Sequence, residues 1–359
     1  MTGAQPVFNQ NARFWILLIS SLLLALVLAL TAANAYARTE PPSVSRPLSL
    51  GPVDYLSSLR SPQDVKGKPS GFKRFVNKVI GLEDDARRMI QPHGVAIDAK
   101  GRVLIADTRG QVVHMFDAAN KSYKQLRAPD SDPFLSPIAI ALDQEGKIYV
   151  TDSGRSRIFV FRQDGKFSRT IGALGKKESI FKRCTGLAID RDKGILYVVD
   201  TVAMRIVVLN EEGKLLNRIG KPGDGPGEFN YPTHIAVAPD GSLFVVDSLN
   251  FRVQHLDAAG NFISSFGHAG DGAGDFDKPK GIVVDAKNRV WVVEGRSDRV
   301  QAYDADGQML FMFGNTGSAP GQFFLPTGIA LDQEGRIYVA DGQNGRVEIF
   351  RLKAEQGAR

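Results

Sequence analysis

The chain has 359 residues, with 45 Lys and Arg against 39 Asp and Glu, for a formal charge of +6. Charged residues at 23% and apolar residues at 43% are ordinary for a globular protein, which argues against wholesale disorder, a collagen-like repeat or a polytopic membrane protein. A single cysteine, Cys184, excludes an intrachain disulfide framework and a thiolate-rich zinc site, while 37 glycines favour many tight turns over long helices.

Residues 1–37 read as an export segment. After the lone charge at Arg13, the stretch 14–30 carries no charged residue and is mostly Leu, Ile, Ala and Val, followed by Ala33-Asn34-Ala35-Tyr36-Ala37. Ala35 and Ala37 fit an A-x-A cleavage site, yet the run approaches the ~20 residues of a spanning helix, so both a signal peptide and a signal anchor are open. Either way, the rest of the chain is expected outside the cytoplasm, periplasmic or secreted, with residues 14–30 as its membrane attachment if uncleaved. Prolines crowd the next stretch, at positions 41, 42, 47, 52, 62 and 69, which disfavours regular helix and marks 38–52 as a linker. Phe72, Phe75, Val76, Val79 and Ile80 then recur at helical spacing, predicting a short amphipathic helix over 71–80.

From residue 92 onward the chain repeats itself. Segments of the type Pro326-Thr327-Gly328-Ile329-Ala330-Leu331-Asp332 start near residues 92, 137, 184, 232, 279 and 326. Each leads through a Gly or Asn turn to an apolar run ending in an acid: Asp107, Asp152, Asp200, Asp247, Glu294 and Asp341. These acids are spaced by 45, 48, 47, 47 and 47 residues. Runs such as Gly335-Arg336-Ile337-Tyr338-Val339-Ala340-Asp341 are short, β-branched and aromatic, and Arg346-Val347-Glu348-Ile349-Phe350 alternates polar with apolar, so each unit is a small antiparallel sheet. Four strands in ~47 residues match a propeller blade, giving six blades over 53–353 and a tail at 354–359. The sixth unit stops after three strands, which would leave an open edge. Tyr55-Leu56-Ser57-Ser58-Leu59 reads like Phe262-Ile263-Ser264-Ser265-Phe266, so the segment 53–60 is expected to be the closing strand.

The P-x-G-I-A-x-D and G-x-I-Y-V-A-D segments, an Arg five residues after the acid, and the glycine-rich crossovers Gly220 to Pro232 and Gly314 to Pro326 together resemble the NHL repeat. The resemblance covers residues ~92–352 and implies an all-β, six-bladed β-propeller. The first blade departs most, with Val112 where the others have Arg157, Arg205, Arg252, Arg299 and Arg346.

A group needed once for chemistry has no reason to recur in every blade, so the acids and arginines are read as turn-holding framework. Function should instead reside where blades differ, at the start of the innermost strand. In order these positions are His93, Ile138, Thr185, Thr233, Lys280 and Thr327, with His234 one place later in its blade. His93, His234 and Lys280 are the candidate ligand-binding residues, at the channel mouth. Pro92-His93-Gly94 is similar to the Pro-His motif that supplies zinc ligands in peptidyl-hydroxyglycine amidating lyases. That family needs three such histidines; only His93 matches, so no metal, no cofactor and no assigned catalytic residue are expected. The acid and Asn set of calcium-dependent sugar lactonases is also missing. Crossovers such as Gly223-Asp224-Gly225-Pro226-Gly227 lack the Lys-Ser/Thr of a phosphate loop and read as tight turns, and Cys184, in the Pro position of its repeat, reads as a structural thiol.

The expected function is that of a monomeric extracytoplasmic scaffold binding a protein or glycan partner in the cell envelope. The alternative is a propeller lyase or hydrolase with its active site at the channel mouth. A nucleic-acid partner is not expected, given the modest charge and the export segment.

Overall fold

The computed structural model describes residues 52–67, 88–172 and 180–353. The export segment, nearly all of the linker, the 71–80 helix and the tail lie outside the described residues. Among those described, no helix is long and apolar enough to cross a membrane.

Each apolar run between turn residues forms a strand, and the strands assemble into six four-stranded antiparallel sheets, the blades of a propeller. Blade 1 consists of Pro92–Ile97, Val103–Asp107, Val112–Asp117 and Ser122–Leu126, in that order from the centre outward. Blades 2 to 5 repeat this meander, with inner strands Pro137–Leu142, Cys184–Asp190, Pro232–Val237 and Pro279–Val284. The inner strand of every blade contacts those of its two neighbours, and Pro92–Ile97 touches Pro326–Leu331, so the ring is closed.

Blade 6 is completed from the other end of the repeat region. Its strands Pro326–Leu331, Arg336–Asp341 and Arg346–Leu352 take Val53–Leu59 as their outermost member, in antiparallel register with Val53 opposite Leu352 and Leu59 opposite Val347. This covers the edge that the last repeat would expose. Val53 and Leu59 are buried, whereas Asp54, Ser57 and Leu56 face solvent.

Burial is greatest in the second strand of each blade and falls toward the rim, and side-chain type follows it. Second strands such as Ile148–Asp152 are buried on both faces because each blade packs between two others, so they read as continuous apolar runs rather than alternating ones. The fourth strands are exposed or half-buried at nearly every position, as in Phe167–Ile171. The glycine-rich crossovers supply one buried phenylalanine each: Phe229, Phe276 and Phe323 are fully enclosed. Each such ring contributes roughly 2–3 kcal/mol by burial. The motif needs its first glycine for this: Gly220 has φ +85°, and a Cβ there would lie 2.2 Å from the Phe229 ring.

One local expectation fails. The proline-rich stretch before the first blade contains a helical turn, Gln63–Lys66, with Pro62 at its N-cap. Proline at the entrance of a helix lacks only an N–H that the helix does not use, so it permits a start there. Asp64 fixes the turn by accepting hydrogen bonds from the backbone N–H groups of Arg60 and Ser61, both at 2.7 Å.

Candidate functional site

The acid that ends each second strand is a framework group. Asp107 accepts from the N–H groups of Ile90, Gln91 and Gly110 at 2.7, 3.0 and 2.8 Å, thereby tying the entry of the inner strand to the turn after the second. Asp341 accepts from Phe324 N–H, Asn344 Nδ2 and Arg346 Nε. In blade 1, where Val112 replaces the arginine, the buried His114 fills the role, with Nε2 3.2 Å from Asp107 and Nδ1 2.7 Å from the Tyr123 hydroxyl. His255 and His268 likewise belong to the outer blade: one meets Ser242 and stacks on Phe244, the other pairs with Asp275 in a crossover. Cys184 is buried beneath the backbone of blade 2, and burial, followed by the charges of Asp152 and Asp200, pushes its thiol up, out of the range of a ready nucleophile.

Just inside the acid, every inner strand carries an irregularity. Pro92 pairs with Asp107, but the ladder resumes only at Val95 opposite Ile105; the same break follows Cys184, Pro279 and Pro326, and one shorter by a residue follows Pro137 and Pro232. Such a bulge turns a side chain out of the ladder, here toward the central channel. In four blades the residue after that is glycine because the next blade comes close: a Cβ on Gly94 would be 2.3 Å from the Ile138 carbonyl oxygen. Blade 4 is built differently. Its ladder resumes one residue earlier, with His234 opposite Val246, as Ala139 does opposite Thr151 in blade 2, and this altered register accommodates a side chain where the other four require none.

Of the six channel-facing positions, the threonines are used by the scaffold. Thr185 Oγ1 donates to the Thr233 carbonyl at 3.0 Å and meets Thr201 Oγ1 at 2.7 Å. Thr233 Oγ1 meets Ser248 Oγ at 2.7 Å, and Thr327 Oγ1 donates to the Pro92 and His93 carbonyls, each at 3.2 Å. His234 and Lys280 have no such role, and His93 hydrogen-bonds the Ile138 backbone through its ring but leaves Nδ1 without a partner. His93 and His234 come from blades 1 and 4, opposite one another in a ring of six, and their imidazoles meet across the axis with parallel planes and centroids 5.7 Å apart. Nδ1 of both rings is buried and without a hydrogen-bond partner. Lys280, from the adjoining blade 5, forms no ion pair or side-chain hydrogen bond with a described residue, although the Glu294 carboxylate acts on it through space.

The electrostatics follow from this crowding. Burial, reinforced by the Lys280 charge, pulls His93 down to about 4 against an opposing contribution from the Ile138 backbone. Burial, then the neighbouring His93 and Lys280, holds His234 well below the ordinary imidazole value. Both rings are therefore neutral at neutral pH, with Nδ1 of His93 an acceptor, since its other nitrogen bonds the Ile138 backbone, and Nδ1 of His234 free to donate or accept according to tautomer. Burial and the charge of Lys278 lower Lys280, which is partly accessible to water. The three residues picked from the repeat thus share one site. Among the described residues no group of three or more His, Cys, Asp or Glu could hold a metal ion.

A closed ring of six four-stranded blades around a polar throat defines a six-bladed β-propeller. The chain matches the DUF5128 family, described as a 6-bladed beta-propeller, over residues 96–208 and 189–253, and the NHL repeat over 325–350. The chain is a six-bladed β-propeller whose last blade matches the NHL repeat. No curated protein matches it. Solved structures share its fold at low identity. Virginiamycin B lyase from Staphylococcus aureus is 16% identical, with a TM-score of 0.54 over 73% of this chain and 95% of that one. A gluconolactonase from Xanthomonas campestris is 18% identical, with a TM-score of 0.56 over 74% and 86%. A chain of the nidogen/laminin complex is 21% identical, with a TM-score of 0.50 over 62% and 79%.

Proposed function

We propose that this propeller is a binding scaffold working outside the cytoplasm, that its partner is a protein or glycan of the cell envelope, and that binding centres on His93, His234 and Lys280. The observation that carries this reading is the contrast at the channel-facing positions. Three threonines are spent on bonds between or within blades, whereas two buried imidazole nitrogens and an ammonium are left without partners. Unsatisfied buried polar atoms cost about 1–3 kcal/mol each, a cost that a scaffold needing only rigidity has no reason to carry. The nidogen/laminin neighbour is in keeping with a binding role on this fold. A second reading, a lyase or hydrolase at the same mouth, is favoured by the neutral imidazoles beside a cation, which suit proton transfer, and by the lyase and lactonase neighbours.

The test is capture of a partner from an envelope extract on the full chain, compared with a triple variant, His93→Ala, His234→Ala and Lys280→Ala. The variant should lose the partner while keeping its circular dichroism spectrum and folding cooperatively. Undiminished capture would move the site to the blade surfaces, and recovery of the full chain in the cytosol on cell fractionation would overturn the location.

A further inference from the structure

The throat opens onto an unusual face. Each inner strand is preceded by a two-residue entry held by the acid of its blade, and these entries, with the turns after the second strands, surround the channel mouth. Large apolar side chains stand exposed there, from 40% at Leu325 to 56% at Ile90, with Leu135, Tyr231, Leu249 and Phe324 between. They occupy blades 1, 2, 4 and 6. Blades 1, 3 and 5 contribute the exposed cations Arg109, Lys182, Arg183 and Lys278, none of which pairs with a described acid. Two acids near these entries are paired: Asp132 with Arg157, and Asp277 with Arg296 at 2.9 Å. Monomeric surfaces seldom gather apolar side chains around a concave polar site without a ligand to cover them.

The composition of this face narrows the ligand. A cation would meet unpaired positive charge on the rim and in the throat. A polyphosphate would leave the apolar ring wet, and a neutral sugar would leave the ammonium desolvated without a counter-charge. Two imidazoles alone give a metal ion too few ligands for a tetrahedral protein site. A carboxylate suits these groups best: it accepts from the Lys280 ammonium and from the imidazole N–H of His234, and an apolar body attached to it covers the exposed apolar side chains. We propose that the channel mouth takes an amphipathic carboxylate, with its acid group among Lys280, His93 and His234 and its apolar part on Ile90, Leu135, Tyr231, Leu249, Phe324 and Leu325. This deepens the binding reading above and rests on it. In a protein partner the same chemistry is an acidic side chain flanked by apolar residues, and that is the source we assign.

The probe is octanoate, titrated into the full chain while the imidazole resonances of His93 and His234, assigned through His93→Gln and His234→Gln variants, are followed by NMR. Both resonances should shift saturably with octanoate, more weakly with octanol or acetate, and not with octylammonium. Lys280→Met should weaken octanoate about tenfold, the worth of one charge-assisted hydrogen bond, and leave octanol unchanged. Octanoate should also displace a captured protein partner. Equal response to octylammonium, or an unaltered octanoate affinity in the Lys280→Met chain, would overturn the carboxylate assignment while leaving the mouth as a binding site. Saturable octanoate binding with no displacement of a captured partner would make the ligand a free amphipathic acid and overturn its assignment to a protein side chain. No movement of either imidazole with any probe would overturn the inference, whereas the partner-capture comparison judges the binding reading independently.

Discussion

The channel mouth and the seam of the sixth blade both bury polar atoms of titratable side chains, but they use them in opposite ways. At the mouth, His93 and His234 hold neutral rings with unpartnered nitrogens. At the seam, Arg346 is almost wholly buried and donates to Asp341 at 2.7 Å and to the carbonyls of Ser318, Ala319 and Gln322 at 2.8, 3.0 and 2.8 Å. At the corresponding position blades 4 and 5 carry Gln254 and Gln301, each accepting from a glycine N–H of its own crossover and donating to a carbonyl of the same crossover. Blade 6 has Glu348 instead. Its Oε2 accepts from Gly321 N–H at 2.8 Å, but Oε1 has no hydrogen-bond donor, although Arg346 Nε lies 3.0 Å away, because that N–H is aimed at Asp341. The seam thus repeats a structural device with one atom changed, whereas the mouth abandons the device altogether. That difference separates a carboxyl bound into the scaffold from rings whose Nδ1 atoms the scaffold leaves unused.

The largest expected effect concerns the seam. Deleting residues 53–59 removes the strand paired with Arg346–Leu352 along its whole length and uncovers Val347 and Phe350, which are fully buried. An exposed edge of this kind templates association. The shortened chain should aggregate, or melt lower by 10 °C or more on the order of several kcal/mol. An unchanged melting temperature would refute closure as the source of the ring's stability.

Glu348→Gln comes next. Burial raises Glu348 to about 7 against the opposing pull of Arg346. A carboxyl raised on folding stabilises when protonated, so its contribution is complete below the unfolded value near 4.5 and is lost as pH rises through about 7. Glutamine reproduces the protonated pattern already present in blades 4 and 5. The variant should therefore be more stable by about 2–3 kcal/mol at pH 8 and nearly equal to the parent at pH 5, by denaturant melts at both values. Lower stability at pH 8 would mean that the charge pairs productively with Arg346.

The fold was legible because a 47-residue spacing of acids, repeated three times in succession, leaves little freedom in the number and length of the strands. The throat was legible for a related reason: His93 and Lys280 interrupt a position that is otherwise mostly threonine. Other features depend on neighbours that spacing does not reveal. The use of the threonines within and between blades, the substitution of His114 for an arginine, and the register change that admits His234 appear only once adjacent blades are in place. The exposed ring is similar. Ile90, Leu135 and Phe324 read in sequence as ordinary apolar residues ahead of a strand, and their exposure follows from the acid-bound turn that holds each of them away from the sheet.

The smallest of these effects belongs to the mouth and has the opposite sign to that of Glu348. An imidazole lowered on folding stabilises when neutral, so the His93 contribution is complete above the unfolded value of 6.5 and is lost as pH falls through about 4. His234 shifts in the same direction from the same burial. Between those limits the mouth loses stability on acidification while the seam gains it, so the parent protein should show a shallow profile that conceals both. The double variant His93→Gln, His234→Gln removes one side of this balance. Relative to the parent it should become more stable by about 2 kcal/mol between pH 7 and pH 4.5, whereas Glu348→Gln loses its advantage over the same interval. Parallel profiles for the double variant and the parent, or imidazole titrations near 6.5 by NMR, would show that water reaches both rings and that their nitrogens are not waiting for a ligand.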